Sequence, residues 1–498
     1  MGEAHGCCFQ ASFNRAVHVR AADDRLTSDA GVLLFREADH RLGLTEALAA
    51  SMADPRDPEN VRYQFVELLR ERLYGMALGY ATQDDLDRLA HDPAMKMAVW
   101  DRPGDGVLDE RLASQPTQSR LLATIARQAN RERLRSSLAD ACNRHLRAAG
   151  SDRAARRVTL DIDSFPIEVH GAQAGAAYNG YYGCKMYHPL VASYSVHGDY
   201  DSPMNGGRLG NGFIHAVLRR GNCHTAEGML RFARVAVTRA RSLGYVVDLR
   251  IDAGFTSGMI MDGLTDDGIP FLGRLKSNRV LDDLALPHLN RPVGRPPKEG
   301  YETVIELGPY QAEPWRHAQR LVLVVIDQPD AKTGQLNFEP DYFFLVTNQP
   351  ATALSGDAAL AHYRPRGTFE DRLGEFNAAV RPRLSSPGFA ENEATFLMSL
   401  WAFNLSSLLR CELEAEVGGC WDLRRFQQQV LKTGGRVVKH SRRLYVDLAR
   451  VACEAWERLL KRISGWKLPS RWPAPRGPAR RAWIAPPPHA HQRAVLLL

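Results

Sequence analysis

Three acidic side chains in the middle of the chain lie in local patterns that could bring them to one point. Asp163 ends a strand-like stretch, residues 158–163, in which apolar and acidic residues alternate. Asp252 follows a second apolar strand and precedes an Ala-Gly-Phe turn, and Glu370 lies where a helical stretch opens. Two strand-borne aspartates and a helix-borne glutamate can form a cage for two hard divalent cations.

Two such cations, about 3.5–4 Å apart, stabilise both the attacking and the leaving oxygens of a phosphodiester. The pattern therefore predicts metal-dependent chemistry on DNA strands. Asp161 adds a further carboxylate, because side chains alternate along a strand and Asp161 faces the same way as Asp163. Carboxylates on an apolar strand are costly unless they are exposed, paired or metal-bound. Taken alone, the 158–163 pattern leaves open an edge strand with two solvated aspartates. Taken alone, the position of Asp252 leaves open an aspartate that only forms a turn.

The glutamate shares its helical spacing with two other polar residues. Tyr363, Arg366 and Glu370 are separated by three and four positions, so a helix that includes all three places them on one face. An exposed Arg366–Glu370 ion pair is the simpler alternative. The conjunction of the three acidic motifs, in this order and on these element types, favours the metal site.

The composition limits the function classes that need to be considered. The 498 residues suffice for several domains, and the net charge of +7 is compatible with a nucleic-acid partner without requiring one. The eight scattered cysteines include no Cys-x-x-Cys pair, which argues against a zinc knuckle and a disulfide framework. We expect reduced thiols and ordinary strand or capping roles for His170, His188 and His224, with a phosphate or water contact as the alternative. Without a membrane-length apolar run or a signal peptide, the prediction is an intracellular protein.

Hydrophobic periodicity divides the chain into segments. It is helical to about residue 149, then has strands over 158–162, 185–195 and 246–251 with a helix before the last, an order typical of an RNase-H-like core. The fold class predicted is therefore α/β. The predicted segments are an N-terminal arm (1–25), a helical DNA-end-binding domain (26–150), the first part of the RNase-H-like core (151–255), a β-rich insertion (256–362), the core helix with C-terminal helices (363–466) and a disordered basic, Pro-rich tail (467–498).

Several short motifs together resemble the DDE transposases of bacterial insertion sequences. Among these, the chain is similar to the 1380 group, which belongs to a superfamily marked by a Tyr-Arg-Glu-Lys signature. The matching stretches follow the family's order at 26–31, 113–117, 160–164, 170–171, 178–183, 221–228, 252–255 and 366–370.

The resemblance implies an RNase-H-like core, a β-rich insertion before the glutamate, and two Mg²⁺ ions for which Mn²⁺ is expected to substitute. It assigns the catalytic and metal-binding roles to Asp163, Asp252 and Glu370, with Asp161 as the alternative first aspartate and a further metal contact. The signature's tyrosine and arginine are Tyr363 and Arg366, implied DNA contacts. Its lysine is replaced by Asn377, which affects a phosphate contact rather than the metal site.

The activity implied is cleavage at the ends of an insertion sequence and transfer of the freed strands into target DNA. The partners implied are double-stranded terminal inverted repeats and target DNA, with a homodimer in the synaptic complex and a cytoplasmic, nucleoid-associated location. A nuclease without strand transfer is one alternative. A catalytically decayed DNA-binding protein is another, supported by Asn377 and by the unusually Gly/Asn-rich block at 199–214.

Further DNA contacts are predicted outside the acidic motifs. Arg274 and Lys276 alternate with apolar residues and would form a basic edge near Asp252, unless they are simply solvated. Arg295, in a Pro-rich basic stretch, resembles a minor-groove hook, although linkers of this composition are commoner. Trp315 could stack on an extruded base, with a core tryptophan as the alternative.

Overall fold

The computed structural model describes ten parts of the chain: residues 7–20, 25–102, 104, 106–149, 157–196, 212–244, 246–291, 300–329, 339–419 and 421–468. Three features named above lie wholly or mostly outside the described residues. They are the hook residue Arg295, the block at 199–214 and the tail at 467–498.

The first third of the chain is helical, as its periodicity predicts. Local capping explains several boundaries: Asp92 accepts a hydrogen bond from the Met95 amide, and Pro93 occupies the first turn of its helix. The elements are β1 (Cys7–Gln10), β2 (His18–Arg20), β3 (Leu26–Thr27), α1 (Val32–Leu42), α2 (Leu44–Ser51), α3 (Phe65–Ala77), α4 (Asp84–Leu89), α5 (Pro93–Val99), α6 (Gln115–Ile125) and α7 (Gln128–Ala148).

The middle of the chain builds an eight-stranded mixed sheet. Its elements, with the small strands and helices between them, are β4 (Arg157–Ser164), β5 (Ile167–Glu168), β6 (Ala177–Asn179), β7 (Cys184–Tyr187), β8 (Leu190–Val196), β9 (Gly212–Val217), α8 (Met229–Ala240), β10 (Val246–Ile251), α9 (Gly258–Asp266), β11 (Phe271–Leu275), α10 (Arg279–Ala285), β12 (Tyr301–Tyr310), β13 (Gln319–Asp327) and β14 (Asp341–Thr347). The strand order in the large sheet is β12-β13-β14-β11-β10-β4-β8-β9.

Parallel and antiparallel pairing divide this sheet into two parts. β4, β10 and β11 run parallel to one another, whereas β8 and β9 complete one side in antiparallel pairing. On the other side β14 pairs antiparallel with β11, and β13 and β12 follow. The strands of the 256–362 segment therefore extend the same sheet.

The two faces of β4 have different surroundings, because its side chains alternate. Val158, Leu160 and Ile162 lie in a hydrophobic cluster with α8. Asp161 and Asp163 point to the opposite face, where the last third of the chain packs.

The last third of the chain is mainly helical and shares a core with the first third. The long helix α13 is buried over most of its length and packs with the N-terminal helices in one hydrophobic cluster. The elements are α11 (Gly356–Tyr363), α12 (Gly367–Ala379), α13 (Phe389–Val417), α14 (Leu423–Phe426), β15 (Gly435–His440), β16 (Arg443–Leu448) and α15 (Arg450–Ser464), with 3₁₀ and π turns at Arg364–Arg366 and Gln427–Leu431.

Two local predictions were wrong, and a third segment contains more than was predicted. The expected helical run from 363 to 466 is interrupted by the β15–β16 hairpin, where Gly434 and Gly435 precede alternating apolar residues. The strand expected over 185–195 is two strands, broken at Pro189, which lacks an amide donor. The strand-rich insertion also contains the helices α9 and α10. Across the described residues, no helix is both long and apolar enough to cross a membrane.

Candidate active site

Two of the predicted acidic residues lie side by side at the carboxyl end of the sheet. In the parallel pairing of β4 and β10, Ile162 is opposite Ile251, so Asp163 and Asp252 follow at neighbouring strand ends. Burial raises the pKa of Asp163, the Arg366 guanidinium lowers it, and the Asp252 carboxylate adds to the rise, with a net increase. Two like charges are therefore held close enough to repel each other.

Asp163 is held by donors from two elements. The Ser164 amide donates to its Oδ1 at 2.7 Å, and Nη2 of Arg366 donates to its Oδ2 at 2.7 Å. Its side chain is 19% exposed, so one side of the carboxylate still faces solvent. Asp252 is exposed and forms no hydrogen bond through its side chain with a described residue.

The helical corner between α11 and α12 brings Tyr363 and Arg366 to the same place. Burial, reinforced by the Asp252 charge, raises the pKa of Tyr363 to about 12. The Arg366 guanidinium is buried 5.1 Å from the centre of the Phe369 ring. Its Nε and Nη1 are buried and have no hydrogen-bond partner among the described residues. The guanidinium therefore contributes its charge to the site, since two of its three nitrogens are closed to solvent.

Glu370 lies in the first turn of α12, one helical turn beyond Arg366. Its side chain is exposed and forms no hydrogen bond or ion pair with a described residue. Within the described ranges, no group of three or more His, Cys, Asp or Glu side chains is arranged to hold a metal ion. The structure thus brings Asp163 and Asp252 together and leaves Glu370 on the helix beside them.

Asp161 has a different environment from Asp163, two residues away. It is fully buried and accepts two hydrogen bonds from Arg250, Nε to Oδ1 and Nη2 to Oδ2, both at 2.7 Å. Burial opposes its ionisation, but Arg250, with Arg366 and Arg372 nearby, lowers its pKa overall. Nη1 of Arg250 also donates to the His362 carbonyl at 2.7 Å, which ties the end of α11 to both strands.

Arg250 is a functional residue that the sequence motifs did not predict. A signal was present, because Asp248, Arg250 and Asp252 alternate and must share one face of β10. The parallel register places Arg250 directly opposite Asp161.

His188 and Tyr182 lie near Asp163 on the other side of the site. Burial raises the pKa of Tyr182, and the Asp163 charge raises it further. For His188 the Asp163 charge raises the pKa against the effect of burial. Nδ1 of His188 lies 3.2 Å from the Cys223 carbonyl, and its Nε2 is buried without a hydrogen-bond partner among the described residues. Burial lowers the pKa of His188 overall. Arg219, which the sequence analysis missed, donates to the His188 carbonyl at 2.7 Å and to the Glu227 carbonyl at 2.7 Å. No spacing pattern marked Arg219 in advance.

Three other predicted DNA contacts lie on or just beyond β11 and beside α9. Arg274 is exposed on β11 with its guanidinium 5.0 Å from the centre of the Phe343 ring, and Lys276 is exposed just beyond the strand. Trp315 is partly buried against Tyr310, and its ring lies so close to Gly258 that a Cβ there would approach it to 2.5 Å. Trp315 therefore packs on the start of α9, shortly after Asp252.

Comparisons with known proteins give a family and similar solved structures. The profile of the family described as "Transposase DDE domain group 1" matches residues 9–465. Among solved structures the chain is similar to a piggyBac transposase synaptic complex with hairpin DNA, with 13% identity over 81% of this chain and 79% of that chain. The TM-score is 0.41. No curated protein matches the chain.

Proposed function

Since the chain belongs to the family Transposase DDE domain group 1, we propose that it cleaves DNA at the ends of an insertion sequence and transfers the freed 3′ ends into target DNA. The observation that carries the proposal is the pairing of Asp163 and Asp252 at adjacent strand ends, beside the helix that bears Glu370. The motif spacing around Tyr363 and Arg366 favours the 1380 group within this family.

We infer that the catalytic core is RNase-H-like. In such a core, a three-stranded antiparallel unit is followed by two strands parallel to its first member. The order β9-β8-β4-β10-β11, with β10 and β11 parallel to β4, supports this assignment. On this assignment β11 belongs to the core, and the inserted strands are β12–β14.

The acidic residues have the chemistry that Mg²⁺ prefers, which is hard oxygen ligands. Asp163 and Asp252 repel each other in the structure, and a bound cation would relieve this repulsion. Glu370 is exposed and uncommitted, so its carboxylate is available to complete the set. We propose that these three residues hold two Mg²⁺ ions, or Mn²⁺ in their place, and that Asp161 does not, because Arg250 occupies both its oxygens.

When bound, the two ions would activate water and stabilise the charge that develops on the phosphodiester. The chain's own contribution is to position the DNA and to neutralise its charge. Arg366 places its positive charge next to Asp163, where it would attract a phosphate group that enters the site. Arg274 and Lys276 present cations at the exposed end of the neighbouring strand.

We propose double-stranded terminal repeats and target DNA as partners, and a homodimer that holds two ends together. These partners rest on the family and on the basic residues around the site.

The test uses the purified protein with a plasmid that carries the chromosomal DNA flanking its coding sequence on both sides. With Mg²⁺, and not with EDTA, we expect nicks at the element boundaries on a denaturing gel, and joined products with target plasmid. Asp252→Asn should abolish both while binding to the same DNA changes by less than a few-fold. Asp283→Asn removes an equally exposed carboxylate on α10 and serves as the matched control.

Each outcome assigns the function differently. Cleavage by Asp252→Asn at the wild-type rate contradicts the site assignment. Cleavage without joining identifies a nuclease, and binding without cleavage identifies a DNA-binding protein that has lost catalysis.

A further inference from the structure

The β15–β16 hairpin is a strongly basic ribbon that lies outside the candidate active site. We propose that its tip and the cleft at its base bind the phosphate backbone of duplex DNA, a second contact surface that supports the active site. This inference rests on the proposed function for the identity of the partner.

The two faces of the hairpin have different surroundings. The pairs Val437–Val446, Lys439–Leu444 and Gly435–Leu448 share one face, and Leu444, Val446 and Leu448 pack against the main hydrophobic cluster. The opposite face, with the tip, carries the exposed residues Arg436, His440, Arg442 and Arg443. One face thus anchors the hairpin, although Lys439 is exposed on it, and the other presents Arg436 and Arg443 together with Asp447.

Three of these cations have no carboxylate partner. Arg436, Arg442 and Arg443 form no ion pair with a described residue, although Arg436 lies across from Asp447 in the strand pairing. Many other arginines of this chain are paired; for example, Arg250 and Arg366 each contact an aspartate. At its base β15 also pairs with β3, so only the outer part of the hairpin, with Arg442 and Arg443, is two-stranded. Exposed guanidinium groups without carboxylate partners suit a phosphate backbone.

The turn at the tip has an unfavourable backbone for its residues. Ser441 and Arg442 form a two-residue loop between the paired residues His440 and Arg443, with φ values of 50° and 61°. Two positive φ angles are typical of a type I′ turn, for which Asn-Gly is the preferred sequence. The chain therefore places an arginine where a glycine would form the turn more easily, and this keeps a cation at the outermost point of the ribbon.

A cleft at the base of the hairpin extends the basic surface. Hydrogen bonding between the Val437 amide and the Arg25 carbonyl, at 2.8 Å, joins the hairpin to the chain segment before α1. The cleft there also contains Asp92, which is engaged in capping α5, and Asp109. Its cations are Arg25, Arg88, Lys96 and Lys439.

The preferred turn sequence provides a variant that removes charge without disturbing the fold. Ser441→Asn/Arg442→Gly converts the tip to Asn-Gly and deletes one cation, whereas Ser441→Asn alone keeps it. A further variant, Arg436→Gln/Arg443→Gln, removes two cations from the exposed face. Arg231→Gln/Arg241→Gln removes two exposed arginines, one on α8 and one directly after its end, and is the matched control.

Binding of each protein to a 30-base-pair duplex of mixed sequence is measured by fluorescence anisotropy over a range of salt concentrations. We expect Ser441→Asn/Arg442→Gly to bind about threefold to tenfold more weakly near 0.1 M salt, with a log–log salt slope smaller by about 1 for each phosphate that the variant no longer neutralises. Its melting temperature should equal or exceed that of the wild type. Ser441→Asn and the α8 control should bind like the wild type.

Equal affinity and salt slope in the wild type and both hairpin variants would overturn the proposal and leave the cations as protection for an exposed sheet edge. The plasmid assay separates this result from the proposed function. Wild-type cleavage with unaffected hairpin variants overturns the hairpin surface alone. Hairpin-dependent binding without cleavage, at any Mg²⁺ concentration, overturns the transposase activity and retains the surface.

Discussion

Carboxylates are used in opposite ways in the helical region and at the carboxyl end of the sheet. In the helical region Asp39 is buried and accepts hydrogen bonds from the Thr45 amide at 2.7 Å, the Thr45 hydroxyl at 2.5 Å and the Tyr74 hydroxyl at 2.5 Å. At the sheet end, Asp252 and Glu370 are exposed and accept no side-chain hydrogen bond from a described residue. A carboxylate saturated by protein donors stabilises the fold, whereas an unsaturated one remains available for a ligand.

A single strand contains both arrangements. Asp161 is saturated by Arg250, and Asp163 keeps one side open. The difference comes from depth along β4, because Asp161 is covered by the neighbouring strand while Asp163 stands at the strand's end. Hydrogen-bond saturation thus distinguishes the two aspartates, which their spacing in the sequence does not.

The largest effect is expected from Glu370→Gln. If Glu370 is a ligand of the proposed metal pair, strand cleavage should fall by about a hundredfold to a thousandfold or more, as when a transition-state contact is removed. Since the side chain makes no contact in the fold, the melting temperature should not change. Gel assays of cleavage and thermal unfolding measure the two quantities. Asp371→Asn, the next exposed residue on α12, is the control, and undiminished cleavage by Glu370→Gln would remove this residue from the site.

A second effect, on stability rather than on cleavage, is expected from Asp161→Asn. The substitution leaves the buried Arg250 charge uncompensated, which typically costs about 3–5 kcal/mol in the free energy of unfolding. Urea unfolding measures this loss. Asp161→Leu/Arg250→Met, which removes both charges, should recover much of it. A stable Asp161→Asn protein that cleaves no DNA would instead make Asp161 a member of the active site.

The third prediction concerns a carboxylate of the helical region, Glu71. Burial raises its pKa from 4.5 to about 8, against the hydrogen bond that Gln118 donates. Between these values the folded protein holds a proton that the unfolded chain releases, so this group lowers stability as pH rises. The slope within the window should approach about 1.4 kcal/mol per pH unit at most.

Glu71→Gln should remove that slope. The unfolding free energies of the wild type and the variant should be similar at pH 5. At about pH 8 the variant should be the more stable of the two. Parallel stability curves for the two proteins would show that Glu71 is ionised in the folded protein. The contrast between carboxylates of the helical region and those at the end of the sheet would then not include Glu71.

Much of the fold followed from periodicity. Alternation over 158–163 and 246–251 predicts the two strands, and the Gly after Asp252 marks where the second one ends. The hairpin at 435–448 was missed because its turn residues, Ser441 and Arg442, are not those that usually signal a two-residue turn. Local sequence also cannot reveal which cation meets which carboxylate, since the Asp161–Arg250 pair depends on the register between strands distant along the chain.

β11 is hydrogen-bonded to β10 on one side and to β14 on the other. No hinge therefore separates the inserted strands β12–β14 from β10, the strand that leads into Asp252. Amide protons of β11 and β14 should therefore exchange as one cooperative unit with those of β10. Any motion that brings Glu370 towards the two aspartates must then arise in the corner between α11 and α12, while the sheet acts as a fixed base.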